Sequence, residues 1–209
     1  MIKVLITDDH PVVRQGIKQI LETSQEIGLI DEAQDGAEMI SKILKTDYDI
    51  ILLDISLPGR SGLDLLKDIK SIKPSIAVLM LSMHPEEQYA LRAVKTGASG
   101  YLTKASAPEE LITAIVKVSR GGKYVTQSLA ERILYELDNE EKPPHNALSD
   151  RELEVMCLMA KGNTPKEIAN IMAISPKTVS TYRERIITKM NMASNTEIIR
   201  YAIVNGLVD

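Results

Sequence analysis

The sequence predicts a doubly wound α/β domain followed by a small all-α domain. Residues 1–120 alternate apolar runs with helical patterns five times, which implies parallel strands joined by crossover helices. Residues 147–209 carry four helical patterns with their own start signals and no strand pattern. The stretch between them, 121–146, is polar and proline-bearing, with room for one short amphipathic helix over 127–137. The expected organisation is therefore an α/β domain over 1–120, a linker over 121–146 and a helical domain over 147–209.

The predicted strands are 2–7, 28–33, 49–54, 77–82 and 99–103, of which the second is the weakest apolar run. Helical patterns fill the gaps at 11–23, 36–45, 61–71, 86–96 and 107–120. Asp35 with Glu38, and Ser106 with Glu109, read as capping boxes, where a side chain and a carboxylate three residues on satisfy orphan amides. Gly121-Gly122 then breaks the pattern. In the C-terminal part the starts are Ser149 with Glu152, Thr164 with Glu167, Ser175 before Pro176, and Ser194 with Glu197. Two short helices meeting in a tight turn near Ile174 form a helix-turn-helix.

Composition narrows the function classes. One cysteine among 209 residues, Cys157, excludes an internal disulfide framework and a cysteine metal site, and reads as a small core residue. No apolar stretch approaches the roughly 18 residues of a membrane span, and no leader pattern precedes the first strand, so the expectation is a cytoplasmic protein with no membrane partner. The net charge of −4 argues against a general polyanion binder. Locally, Lys177, Arg183, Arg185 and Lys189 face only Glu184 within 176–190, a footprint suited to phosphates or to a solvated helix face.

Sites in an open parallel sheet form beyond the carboxyl ends of its strands. Four of the predicted strands end in Asp8-Asp9, Asp54, Ser82 and Lys104. Crowded carboxylates repel and call for a cation or a raised pKa. Asp8, Asp9 and Asp54 with the backbone carbonyl of Ser56 suit Mg²⁺, which takes oxygen ligands. A carboxylate is a competent nucleophile toward phosphorus, and phosphoryl transfer needs positioning and charge neutralisation more than covalent help. Lys104 and Ser82 supply an ammonium and a hydroxyl for phosphoryl oxygens. Taken singly, Asp9 and Ser82 also suit helix caps, and Lys104 a solvated strand end. An Asp-x-Asp phosphatase is the competing chemistry, but Ser56 stands where its second aspartate belongs.

With Asp8-Asp9, Asp54, Pro58-Gly59, Gly62, Ser82, Gly97-Ala98 and Lys104, residues 1–120 resemble the receiver domain of two-component response regulators. The resemblance implies a flavodoxin-like fold and Mg²⁺-dependent phosphorylation of Asp54 by a sensor histidine kinase. Ser82 and Tyr101 match the family's switch hydroxyl and switch aromatic, although an aromatic in a strand also serves simply to pack. Ser56 and His84 match positions that tune phosphoryl lifetime. Ala105 departs from the proline the family often has after its lysine.

The second helix of a helix-turn-helix places its first residues in the major groove. Here it begins at Ser175; Val179, Ile186 and Met190 are spaced to face the core. Lys177, Thr178, Ser180, Thr181, Tyr182, Arg183, Glu184 and Arg185 are the candidate DNA contacts, with Lys189 on a phosphate or in solvent. With Leu148-Ser149-Asp150-Arg151-Glu152-Leu153-Glu154-Val155, Gly162, Glu167-Ile168-Ala169, Ser175-Pro176-Lys177-Thr178-Val179 and Lys189, this part resembles the DNA-binding domain of the NarL/FixJ/LuxR family. Residues 175–185 are similar to the GacA/UvrY branch, which commonly drives small regulatory RNAs. The resemblance implies a transcription factor that binds double-stranded promoter DNA and forms a homodimer when phosphorylated. Ile198, Ile199, Ala202 and Ile203 on the last helix are the dimer candidates, shared with packing inside their own domain.

Overall fold

In a computed structural model, which describes residues 1–83, 86–138 and 143–208, strands and helices alternate as expected. They are β1 (Ile2–Thr7), α1 (Pro11–Glu22), β2 (Ile27–Ala33), α2 (Gly36–Lys45), β3 (Ile50–Asp54), α3 (Gly62–Ile72), β4 (Ala77–Ser82), α4 (Glu86–Thr96), β5 (Gly100–Thr103) and α5 (Pro108–Ser119). The strands form one parallel sheet in the order β2-β1-β3-β4-β5. Further helices follow: α6 (Gln127–Asp138), α7 (Asp150–Ala160), α8 (Pro165–Ile171), α9 (Pro176–Met190) and α10 (Asn195–Val204). The chain divides into two units, Met1–Ala130 and Glu131–Asp209. His84 lies outside the described residues.

Both faces of the sheet are covered, which is why its strands read as continuous apolar runs. Val4, Ile6, Ile50, Leu52, Leu79 and Leu81 pack with Ile17 and Leu21 of α1 and Leu111, Ile115 and Val118 of α5. The alternate residues, Leu5, Ile51, Leu53, Val78 and Met80, are equally buried. β2 is the exception: only Ile27 and Ala33 are buried along it, because it is an edge strand paired on one side. That is the physical reason for its weak apolar signal.

The capping signals locate the helices, with three corrections of detail; at α10 Ser194 accepts from the Glu197 N–H, but the Glu197 carboxylate turns to the Ala193 N–H. Asp35 accepts from the Glu38 N–H, but the Glu38 carboxylate turns to the Gln34 N–H, one residue outside the box. Ser106 does not cap α5. Pro108 occupies the first helical position, which makes Ala107 the cap residue, and the Ser106 hydroxyl lies 3.3 Å from that of Thr103. Ser149–Glu152 and Thr164–Glu167 form complete boxes. Asp9 caps nothing, since the residue before α1 is His10.

The expected linker begins as packed structure. Past α5 the chain runs back along β5: the Tyr124 N–H donates to Ser99 at 2.9 Å, and Tyr101 donates to the Tyr124 carbonyl at 3.3 Å. Gly100 permits this approach, because a Cβ there would stand 2.6 Å from the Tyr124 carbonyl oxygen. The Thr126 hydroxyl donates to the Glu86 carboxylate of α4 and accepts the Leu129 N–H. Leu129 is fully buried.

Candidate functional site

β1 and β3 are adjacent, with Thr7 opposite Leu53, so Asp8 and Asp54 emerge side by side. β4 sets Leu81 opposite Asp54, and β5 sets Thr103 opposite Ser82. The Lys104 N–H donates to the Ser82 carbonyl at 2.8 Å, tying the last two strand ends together. Lys104 starts two strands from Asp54, roughly 10 Å at ordinary strand spacing. Its side chain crosses that gap, and Nζ lies 2.6 Å from Asp8 Oδ2 and 2.7 Å from Asp54 Oδ2. The Ser56 N–H donates to Asp54 Oδ1 at 3.2 Å.

Asp8, Asp54 and Ser82 are at most 1 % exposed. Burial pushes the Asp54 carboxyl above its ordinary value; Lys104 pulls it partly back, and the neighbouring Asp8 charge lifts it again. Burial also opposes the charge on Lys104, but Asp54 and Asp8 outweigh it and hold the ammonium above the usual lysine value. The site is thus a buried, charge-crowded group in which one cation is shared by two carboxylates.

Asp9 stands at the rim, partly exposed, and belongs to a group with Asp8, His10 and Asp54 whose ligand atoms all lie within 4.8 Å of one another. Asp9 Oδ1 is buried without hydrogen-bond geometry to any partner. An oxygen-rich cluster with an unsatisfied acceptor has the donor chemistry of a divalent-cation site. Two residues here escaped the sequence reading. His10 directly follows the acid pair and presents its ring to it, and Arg14 donates to the Asp8 carbonyl at 2.6 Å. A histidine adjoining two predicted metal ligands was the available signal for the first; nothing in sequence spacing marks the second. Tyr101, 2 % exposed, lies on β5 opposite Met80.

In the C-terminal unit Ser175 caps α9, accepting from the Thr178 N–H at 3.1 Å. Val179, Ile186 and Met190 face the core. Lys177, Ser180, Thr181, Glu184 and Arg185 are exposed, and Thr178 and Tyr182 are half-buried. The Ser180 and Thr181 hydroxyls bond back to the Pro176 and Lys177 carbonyls. Two candidates make contacts within the unit that spacing alone does not show. Arg183 is half-buried and lines an apolar cleft of about 260 Å³ with Ile168, Val179 and Ile199. Lys189 is exposed, and its Nζ lies 2.6 Å from the carboxylate of Glu152, which is only 2 % exposed. Burial would lift the Glu152 carboxyl, but Lys189 and Ser149 outweigh it and hold the group below its ordinary value. On α10, Ile198 and Ala202 are fully buried in the unit's own core, whereas Ile203 is 53 % exposed and Ile199 half-buried.

Residues 4–116 match the response regulator receiver domain family, and residues 146–202 match the luxR family of bacterial regulatory proteins. The response regulator UvrY of Escherichia coli K12 is 35 % identical over 209 residues, spanning 99 % of this chain and 96 % of UvrY. The oxygen regulatory protein NreC of Staphylococcus carnosus is 35 % identical over 215 residues, spanning 99 % of both. Among solved structures, RcsB from Salmonella enterica serovar Typhimurium, bound to promoter rprA in the presence of the phosphomimetic BeF₃⁻, superposes with a TM-score of 0.64. It is 26 % identical and the match covers 96 % of this chain and 97 % of RcsB. No described helix is long and apolar enough to cross a membrane.

Proposed function

We propose, from the premise that this chain belongs to the response regulators that pair a receiver with a LuxR-type DNA-binding domain, that Asp54 is the phosphoacceptor whose state controls the DNA reader. The observation that carries this is Lys104 bridging Asp8 and Asp54 at the strand ends. A carboxylate oxygen of Asp54 attacks the phosphorus of a phosphohistidine on the sensor kinase. The P–N bond breaks, its electrons stay on the imidazole nitrogen, and that nitrogen takes up a proton. Asp8, Asp9, Asp54 and the Ser56 carbonyl would hold Mg²⁺, which when bound neutralises phosphoryl oxygens. Lys104 exchanges a carboxylate for a phosphoryl oxygen, and the Ser82 hydroxyl donates to another. Burial makes each of these interactions stronger than it would be in water. The receiver thus promotes only its own phosphorylation and dephosphorylation.

Residues 121–146 then connect this switch to the reader. Lys177, Thr178, Ser180, Thr181, Tyr182, Glu184 and Arg185 approach base edges and phosphates of the promoter. The Ser180 and Thr181 hydroxyls trade their bonds to the helix backbone for bonds to DNA. Arg183 takes part through its guanidinium tip, its Nε being buried. Of the four α10 candidates, Ile199 and Ile203 are the ones open to a second protomer. The promoter complex of RcsB, like this chain over nearly its whole length, supports the reading.

The test is binding across a promoter library at stated salt, with and without Mg²⁺ and a small phosphodonor. The expected result is tighter binding after phosphorylation, lost in Asp54→Asn together with phosphoryl labelling. Labelling that persists in Asp54→Asn would overturn the assignment.

A further inference from the structure

We infer that Glu152 withholds Lys189 from DNA, so that the reader meets a duplex with one phosphate-binding cation fewer than its sequence carries and its grip on arbitrary sequence is weakened. The inference rests on the DNA-reading role proposed above for α9 and makes Glu152 a positioning residue for one of that helix's cations.

Lys189 stands one helical turn beyond Arg185, and both line an open cleft of about 550 Å³ with Thr181, Glu184, Thr188 and Glu152. Thr181, Glu184 and Arg185 are candidate DNA contacts on the exposed side of α9. Lys189 therefore lies beside the face that would meet a duplex, where an ammonium on a flexible stem suits a phosphate.

That ammonium is already engaged. Its Nζ lies 2.6 Å from Glu152 Oε2, an oxygen that also accepts the Ser149 N–H at 2.7 Å. The Glu152 side chain is 2 % exposed and the Lys189 side chain 40 %. Burial opposes the charge on Glu152, but Lys189 and Ser149 outweigh it and hold the carboxyl below its ordinary value, so it is ionised at neutral pH.

The two partners are unequally free. If Lys189 left for a phosphate it would strand a carboxylate that water barely reaches, and an unpaired buried charge costs far more than an exposed ion pair gains. Glu152 cannot follow, because the capping box with Ser149 fixes it in the first turn of α7. The four cations of residues 176–190 outnumber Glu184 by three, and pairing with Glu152 leaves an excess of two for DNA.

The experiment measures binding of the full chain to a random-sequence duplex at fixed Mg²⁺ and small phosphodonor, with KCl varied over about 50–200 mM. The proteins are wild type, Lys189→Met, Glu152→Gln and the double variant; glutamine keeps the capping box. Each phosphate neutralised steepens the fall of log K with log salt by about 0.9. Lys189→Met should leave the wild-type slope unchanged. Glu152→Gln should bind more tightly, with a slope steeper by about 0.9 for each protomer bound, and adding Lys189→Met should abolish that gain. A slope that falls by about 0.9 when Lys189→Met is made beside Glu152 would mark Lys189 as a phosphate ligand in the wild type. A slope unmoved by Lys189→Met in either background would reduce the pair to a structural strut. Both results overturn the inference while leaving the DNA reader in place. Where a variant does not fold, the wild type decides. The ¹⁵N resonance of its Lys189 ammonium, identified with Lys189→Arg, should hold its position when duplex is added, and a shift overturns the withholding. A wild type that binds no duplex even at the lowest salt would remove the DNA-reading role, and the inference with it.

Discussion

Gly62 is the position where one added carbon should do the most damage to the receiver. It opens α3, and its N–H donates to the Ile55 carbonyl at 2.8 Å. A Cβ there would meet the Asp54 carbonyl oxygen at 2.1 Å, Ile55 Cα at 2.8 Å and the Asp54 carbonyl carbon at 2.9 Å. Ordinary non-bonded contact is roughly 3.5 Å, so the backbone must move by more than about 1 Å. The nearest atoms are all main chain, and no rotamer change relieves the clash. Leu63, Leu65, Leu66 and Ile69 anchor α3 in the core, and β3 is buried along its whole length. Neither side yields easily, which puts Gly62→Ala near the top of the overpacking range, about 3 kcal/mol. A displacement of that size beside the acceptor should also slow phosphoryl labelling of Asp54 on the order of 100-fold. Two controls separate this cause from the loss of a glycine as such. Gly36→Ala meets only the flexible tip of Leu65, at 2.6 Å, and should cost less. Gly16→Ala, inside α1 with nothing within 4 Å, should gain about 0.5–1 kcal/mol. Urea melts followed through the receiver transition, with labelling rates, supply the readout. A loss below about 1 kcal/mol in Gly62→Ala with normal labelling would refute the claim that this close approach holds the acceptor strand.

Two further perturbations follow from the buried charges. Asp54→Asn should stabilise the receiver on the order of 1 kcal/mol at neutral pH, because it removes one of the crowded carboxylates while Lys104 keeps Asp8. Since folding raises the Asp54 carboxyl, its favourable contribution is complete below the ordinary carboxylate value and is lost as pH rises through the raised one. The advantage of the variant should therefore grow with pH, and melts in which it shrinks with rising pH would contradict the sign. Lys189→Met should cost the C-terminal unit about 1–2 kcal/mol, less than a fully buried pair because water reaches the 40 %-exposed lysine. Folding lowers the Glu152 carboxyl, so this cost should be present above the ordinary carboxylate value and vanish as pH falls through the folded one. Melts of wild type and variant across that range check it, and Glu152→Gln in the Lys189→Met background should recover part of the loss.

The parts of this chain most legible in its sequence are those in which a buried element stops. β3 is apolar up to Asp54, and β1 up to Thr7 before Asp8, so the strand ends and their polar residues were visible together. β2 was fainter because half of its burial is missing at the sheet edge. The helix starts were legible through caps, except where Pro108 overrode Ser106 by fixing the backbone one residue later. Long-range partners were not legible. Lys189 and Glu152 are 37 positions apart, and each looked complete alone, one as a phosphate contact and the other as a capping carboxylate. The α10 stripe illustrates the same limit: periodicity groups Ile198, Ile199, Ala202 and Ile203, but only packing shows that Ile198 and Ala202 are consumed by their own unit. His10 was overlooked because the residue at a helix start is ordinarily read for its cap.

β5 joins the acid cluster to the chain that leaves the receiver. Thr103 at its end pairs with Ser82, and the next residue, Lys104, bonds to the Ser82 carbonyl and to both Asp8 and Asp54. Its first residues carry the returning segment: Tyr101 donates to Tyr124, and Tyr124 donates to Ser99 just before the strand. Only four residues, roughly 13 Å of extended backbone, separate these ends. A hydrogen-bonded strand does not stretch, and Gly100 leaves no gap, with a notional Cβ already 2.6 Å from the Tyr124 carbonyl. An axial shift of Lys104 is therefore passed to Tyr124 rather than absorbed. Two residues later Thr126 binds Glu86 at the start of α4, so the segment is held by α4 as well as by β5. A shift at Lys104 thus reaches Tyr124 through backbone hydrogen bonds, whereas Thr126 is tied to α4 through the Glu86 side chain. Substitutions that loosen this attachment, at Gly100 or Thr126, should weaken the response of DNA binding to Asp54 while leaving Asp54 itself in place.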